Sequence, residues 1–384
     1  MIRNQLARAN GVVPIEEIRI IATILLVLYH VIGVPGSGLK VADDSALRWI
    51  ADALADFRMP AFAFIAGFVY ALRPAVLGKM RSFLVGKFHR LVVPGAIAMA
   101  IFLLVSHLVG TAYAIPWTDS WRPFLFPYAH YWFLQSILLI FVVVGALDAL
   151  TRQRAELGLL VIALGLYLSP LRAPTFLSMG GAIYLAPFFL AGVCFQRRSS
   201  WIEKHAKVVG LLCLALVLAW IAMTVATLLA GEMPGRGNVQ GLLFAVPLCT
   251  LIILLVPHHP QARRIGKFSF TIYLYHIFGT AGVRMTLQAL GITNLPIHLV
   301  GGLLGGIFVP TALHLLVMRW PLGARLMLGL RPSRASAGAA DENVAGPRDG
   351  AGPELISPAP EAPAPLSLNS TVPLSAAAAH VDRH

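Results

Sequence analysis

Apolar runs of membrane-spanning length recur along this chain, separated by short basic or turn-rich segments, from about residue 15 to residue 319. Runs of that length with few charges predict helices that cross a bilayer. Ten are expected, at roughly 15–34, 59–72, 84–110, 130–149, 157–171, 182–196, 207–230, 239–256, 268–290 and 297–319. The second, fifth and sixth are short and contain or abut Pro or Gly. The pattern predicts an all-α, polytopic integral membrane protein. The composition agrees, with 58% hydrophobic and 12% charged residues; a soluble domain carries roughly twice that charged fraction.

The charge between the runs sets an expected orientation. With the N-terminus cytoplasmic, the inner segments hold twenty Lys and Arg, from Arg3 to Arg334, and the outer loops hold six: Lys40, Arg48, Arg58, Arg122, Arg172 and Arg236. That asymmetry is the positive-inside pattern, and it predicts ten spans with both termini cytoplasmic. It also accounts for the net charge of +13 without nucleic acid, since no basic stretch is interleaved with exposed aromatics. Residues 335–384, rich in Ala and Pro and without apolar periodicity, are expected to form a disordered cytoplasmic tail after a membrane domain at 1–334. The N-terminal basic residues and first run read as an uncleaved signal anchor, because no A-x-A-like site closes the run. Cys194, Cys213 and Cys249 lie in apolar segments and form no CxxC pair, so neither a disulfide framework nor a zinc site is expected.

Candidate chemistry is confined to the ionisable residues inside the runs. Arg19 and His30 stand eleven positions apart in the first, which is almost three helical turns and about 16 Å of rise on one face. Ionisable groups in a bilayer are costly and are functional candidates by default. His276 lies inside the ninth run, where it lines a cavity or bonds a neighbouring helix, and Arg284 is placed to snorkel towards the outer interface. His130, Tyr131 and Trp132 open the fourth run, where aromatic belts are common. Met59-Pro60 reads as the start of a helix. His258 and His259 read as solvated loop residues. No Gly-rich phosphate loop, HExxH or GxSxG stands in a suitable context, and no metal site is expected.

The stretch "EEIRIIATILLVLYH" (16–30) resembles the opening of membrane acyltransferase family 3, integral-membrane enzymes that modify bacterial glycans: an acid, then Arg, ten residues, and His. Further similarities follow in the family's order. They are "RMPAFAFIAGFVYA" (58–71), "KFHRLVVP" (87–94), "YWFLQSILL" (131–139), "APFFLAGVCF" (186–195) and "FSFTIYLYH" (268–276). Two positions depart from the family's pattern. Ala66 replaces a usual Ser, and Lys87 replaces an Arg, keeping the charge but losing the bidentate fork.

The resemblance implies transfer of an acyl group, most often acetyl, from cytoplasmic acyl-CoA to a hydroxyl of an envelope or exported carbohydrate, in the bacterial inner membrane. His30 would act as general base or acyl carrier, with Arg19 at the donor side. Lys87 and Arg90 would bind CoA phosphates, while His276 and Trp132 would line the substrate site. Asp52 and Asp56 are guesses for the residue that orients His30. No metal is implied. A secondary transporter or flippase for an envelope precursor is the alternative, although such proteins often show broken helices at matching places in two repeats, and here Pro and Gly are scattered. A scaffold for envelope synthesis is a third reading.

Overall fold

The structure is a computed structural model that describes residues 14–33, 38–39, 41–42, 44–232 and 239–330. These belong to the first of two units into which the chain divides, Met1–Pro332. Arg3, Arg8, Lys40, Arg236, Arg331, Arg334 and the tail after Ala335 lie outside the described residues.

The described residues are helical with no strand. In order the helices are α1 (Ile15–Ile32), α2 (Ala46–Ala53), α3 (Ala55–Leu72), α4 (Met80–Lys87), α5 (Val93–Val109), α6 (Arg122–Leu125), α7 (Trp132–Leu150) and α8 (Glu156–Leu168). They continue as α9 (Met179–Arg197), α10 (Ser199–Lys204), α11 (Ala206–Leu229), α12 (Val239–Leu255), α13 (Pro260–Gly266), α14 (Ser269–Ala289), α15 (Leu295–Val317) and α16 (Pro321–Leu328). Each of the ten expected apolar runs coincides with one of the long helices. Among the described residues six segments are long and apolar enough to cross a membrane: Ala46–Leu72, Leu77–Val109, Trp132–Leu150, Phe176–Arg197, Ala206–Leu229 and Leu295–Val317. Glu156–Leu168 and Val239–Leu255 are apolar but shorter. Helices α1 and α14, which carry His30 and His276, are not among the six.

Burial sorts the helices. α3 is the central element, packed by α1, α9 and α12, and Phe57, Ala61, Ala63 and Phe64 on it are almost fully buried. α11 lies at the edge, with Leu211, Leu212, Leu218 and Val225 exposed; large apolar side chains facing outward along a whole helix suit lipid rather than water. The tightest packing uses glycine to bring backbones together, as helices in lipid commonly do. A Cβ added at Gly67 on α3 would fall 1.8 Å from the carbonyl oxygen of Phe189 on α9, and one at Gly192 would fall 2.0 Å from that of Phe64. The pair α14 and α15 meets in the same way, at Gly279 and Gly305.

Between α4 and α5 the chain makes a π-helical turn, Phe88–Val92, inside the "KFHRLVVP" stretch. Pro94 lacks the N–H that would bond the carbonyl four residues back, at Arg90. The ladder widens instead, and Val93 N–H donates to Phe88 O. Gly329, after α16, lies against the freed Arg90 carbonyl, where an added Cβ would be 2.8 Å away.

Candidate active site

The side chains expected to carry chemistry divide between two ends of the bundle. The C-terminal half of α1 runs beside the start of α3, where the Arg58 guanidinium lies 3.5 Å from the centre of the Tyr29 ring. Its N-terminal end lies beside α13, with Glu16 against Gly266. At the C-terminal end of α3, Tyr70 donates to Asp148 on α7 at 2.7 Å. The antiparallel α1 and α3 therefore put Glu16, Glu17 and Arg19 at the same end as Asp148, and His30 towards the other.

At that other end is a cavity of about 470 Å³ walled by α1, α3, α5, α14, α15 and the start of α7, within the usual size for a small-ligand pocket. Its lining includes His30, Arg58, His130, Trp132, Arg284 and His298 among mainly apolar residues such as Leu26, Met59 and Phe102. His30 Nδ1 lies 2.8 Å from the carbonyl oxygen of Leu26, one turn earlier. A carbonyl only accepts, so Nδ1 carries the hydrogen and Nε2 keeps its lone pair.

Two further imidazoles pack with it. The His276 ring centre is 4.6 Å from that of His30 and 4.9 Å from that of His130, and His30 and His130 are 5.9 Å apart. His276 is fully buried, with Nδ1 3.0 Å from the carbonyls of Ile272 and Tyr273; among the described residues its Nε2 has no hydrogen-bond partner. His130 reaches the cluster because Ala129 takes a positive φ of 44°, which turns the chain inward before α7. His130 Nε2 lies 3.4 Å from the Leu274 carbonyl, and Nδ1 has no partner among the described residues. Beside it, the Tyr131 hydroxyl is 3.1 Å from both the Ala98 and Leu274 carbonyls. Each ring thus donates to backbone through one nitrogen and keeps a lone pair on the other. Among the described residues no group of three or more His, Cys, Asp or Glu is arranged to hold a metal.

The rim is tied by backbone contacts. Arg284 Nη1 donates to Gly38 O at 2.7 Å. His298 Nε2 is 2.7 Å from Ile292 O. Arg48 pairs with Asp52 at 2.7 Å and also donates to the carbonyl of Gly33, where α1 ends. Tyr128, in the loop before α7, donates to the Tyr113 carbonyl. Burial, and then the neighbouring Tyr113 phenol, push Tyr128 up to about 12, so it stays a donor at neutral pH.

The model of the acyltransferase domain of this kind matches residues 15–315, from the first residue of α1 to within α15. The chain belongs to acyltransferase family 3. Neither a curated protein nor a solved structure matches it.

In this family 3 acyltransferase the expected site residues separate. His30 and Trp132 line the cavity, and His276 stands directly behind His30. Trp132 fits there because Gly181 leaves room for its indole, an added Cβ being 2.7 Å from the ring. Arg19 is off the cavity wall, with Nη1 2.7 Å from both carboxylate oxygens of Glu16. Lys87 is half-buried with its ammonium 3.5 Å from the centre of the Phe141 ring, and Arg90 is exposed in the π turn.

Several sequence expectations need correction. His130 and Tyr131 are not a surface belt, because the turn at Ala129 buries both, Tyr131 completely. Neither Asp52 nor Asp56 orients His30, since the Leu26 carbonyl already holds it. Pro60 is inside α3 rather than at its start, because the helix begins at Ala55. His258 is not free in a loop, as its Nδ1 is 3.1 Å from Glu17, which also accepts from the His259 backbone N–H. Arg58 and His298 went unremarked as site residues. The early start of α3 places Arg58 inside a helix, and an arginine directly before Met-Pro in an apolar run is the signal that could have found it.

Proposed function

We propose that this acyltransferase moves an acetyl group from cytoplasmic acyl-CoA to a hydroxyl of an envelope or exported carbohydrate, with His30 as general base. The observation that carries the reading is the His30 ring, anchored through Nδ1 to Leu26 O and opening on a cavity of ligand size. A sugar hydroxyl is a weak nucleophile. In the proposed step its oxygen attacks the thioester carbonyl while His30 Nε2 takes the hydroxyl proton. The tetrahedral intermediate collapses, the carbon–sulfur bond breaks, and the leaving thiolate takes the proton back from the imidazolium. An imidazole pre-set in one tautomer suits both transfers. His276, packed against His30, would hold the ring's position.

The donor would approach from the opposite end, where Arg19, Lys87 and Arg90 could meet its phosphates. Its pantetheine arm would have to cover the distance of about 16 Å between Arg19 and His30. Ten spans, both termini cytoplasmic and an inner-membrane location would complete this reading, and the loop-charge asymmetry supports that orientation.

Mass spectrometry of cellular glycans with and without the gene, complemented by native or His30→Gln protein, tests the reading. An ester that appears only with native protein is expected. Glycans whose location but not acylation depends on the gene would favour a transporter.

A further inference from the structure

We propose that the acceptor taken into the cavity is anionic, carrying a carboxylate or phosphate ester that Arg284 binds together with Arg58. This rests on the acyl-transfer reading and adds the chemical class of its acceptor. Two guanidinium groups and three imidazoles face the cavity, and none of the described residues on its wall is acidic. A half-buried cation such as Arg284, bonded to a neutral carbonyl, is costly and is kept where a charge will meet it.

Arg284 is half-buried at the rim and uses one nitrogen on Gly38 O. A guanidinium has five N–H donors in a planar fork, so donors remain for a ligand while that bond anchors the group. Arg58, only 5% exposed, lies over the Tyr29 ring with Nη1 3.5 Å from the Ala51 carbonyl. It stands on α3, beside the helix that presents His30. A negatively charged saccharide would be steered to this mouth and turned so that its anionic group faces the arginines and a hydroxyl faces His30.

The donor also carries phosphates, but its proposed site is at the end of α1 remote from this cavity. The two sources of negative charge therefore predict different kinetics. Membranes holding the full chain would be given radiolabelled acetyl-CoA and the host cells' saccharides, stripped of esters by mild alkali and divided into neutral and acidic fractions by anion exchange. Label is expected in the acidic fraction, at least about tenfold above the neutral one. Arg284→Gln should raise the acidic-fraction concentration for half-maximal rate by about ten- to a hundredfold, the usual cost of one charge-assisted hydrogen bond, with the KM for acetyl-CoA unchanged. Arg284→Lys should recover part of the loss, which a misfolded protein would not do. Phosphatase treatment or carboxyl reduction of the acidic fraction then tells phosphate from carboxylate by which removes acceptor activity. Label confined to the neutral fraction overturns the proposal and leaves acyl transfer standing. So does an Arg284→Gln defect in acetyl-CoA KM alone, which would hand the arginine to the donor. Label in neither fraction overturns the acyl-transfer reading, and this one with it.

Discussion

The two ends of α1 treat charge in opposite ways. At its N-terminal end the ionisable groups neutralise one another: Arg19 with Glu16 and, in the same layer, Arg197 with Asp148 and Glu156. At the cavity end His30, His130 and His298 donate to backbone carbonyls, Arg284 meets another carbonyl, and the described cavity wall has no acid. A carbonyl holds a side chain in place without cancelling its charge or consuming its second nitrogen. At the first end most of the charge is therefore met within the protein, and at the second it is left available to a ligand. Buried ion pairs resist change chiefly because breaking one strands its partner, whereas backbone-anchored groups stay chemically available.

The contrast can be broken at several points. The largest effect belongs to His30→Gln, which should lower acyl transfer by about a hundred- to ten-thousandfold, the usual worth of a general base. Expression and elution from a sizing column in detergent should be unchanged. A normal rate for purified His30→Gln protein would mean that the cavity end is as structural as the other.

Next is Arg197→Gln. Asp148 is buried, with a side chain only 2% exposed, and would lose the guanidinium 2.6 Å away. About 3–5 kcal/mol of stability is expected to go, seen as a lower midpoint of thermal inactivation in detergent. Adding Asp148→Asn should restore much of it, although Tyr70 would keep a partner only in part. Failure of the second substitution to help would show that the layer is more than self-neutralising.

A smaller effect is expected for Lys87→Gln or Arg90→Gln, a rise of about ten- to a hundredfold in KM for acyl-CoA with turnover largely kept. Unchanged acyl-CoA binding in both would return them to ordinary inner-face cations. The smallest belongs to Glu16→Gln. Arg19 and Glu16 are each about a quarter exposed, and such pairs contribute about 0–1 kcal/mol. Thermal stability and transfer should both move little. Arg19→Gln, compared directly with it, isolates any part the arginine has in donor binding.

Much of the scaffold was legible in the chain. All ten apolar runs became helices, because a run of that length has no other way to satisfy its backbone in a lipid-like setting. The Arg19–His30 spacing correctly gave a shared helix, yet it was silent on partners. One residue of the pair is quenched by a neighbour three positions away, and the other opens on a cavity, although both sit on the same stripe. The histidine cluster was not readable, because α1, the turn at Ala129 and α14 meet only through tertiary packing, with 99 residues between His30 and His130 and 145 between His130 and His276. The positive φ at Ala129 has no sequence signature, since alanine is not a residue that favours it. Arg58 was misjudged for a local reason: the helix starts four residues before the apolar run does, and a charge counted to a loop became one inside the bundle.

The bond from His30 Nδ1 to Leu26 O makes the ring's two nitrogens separately addressable. Histidine methylated at either nitrogen has one shape class and one added volume, but the two isomers fail differently here. The Nδ1-methyl isomer loses its tether to the helix and keeps the lone pair on Nε2. The Nε2-methyl isomer, when neutral, turns its one lone pair on Nδ1 towards the Leu26 carbonyl, so it has neither the tether nor a base facing the cavity. Incorporated at position 30, the pair of isomers would weigh how much of the residue's work is holding still and how much is proton transfer.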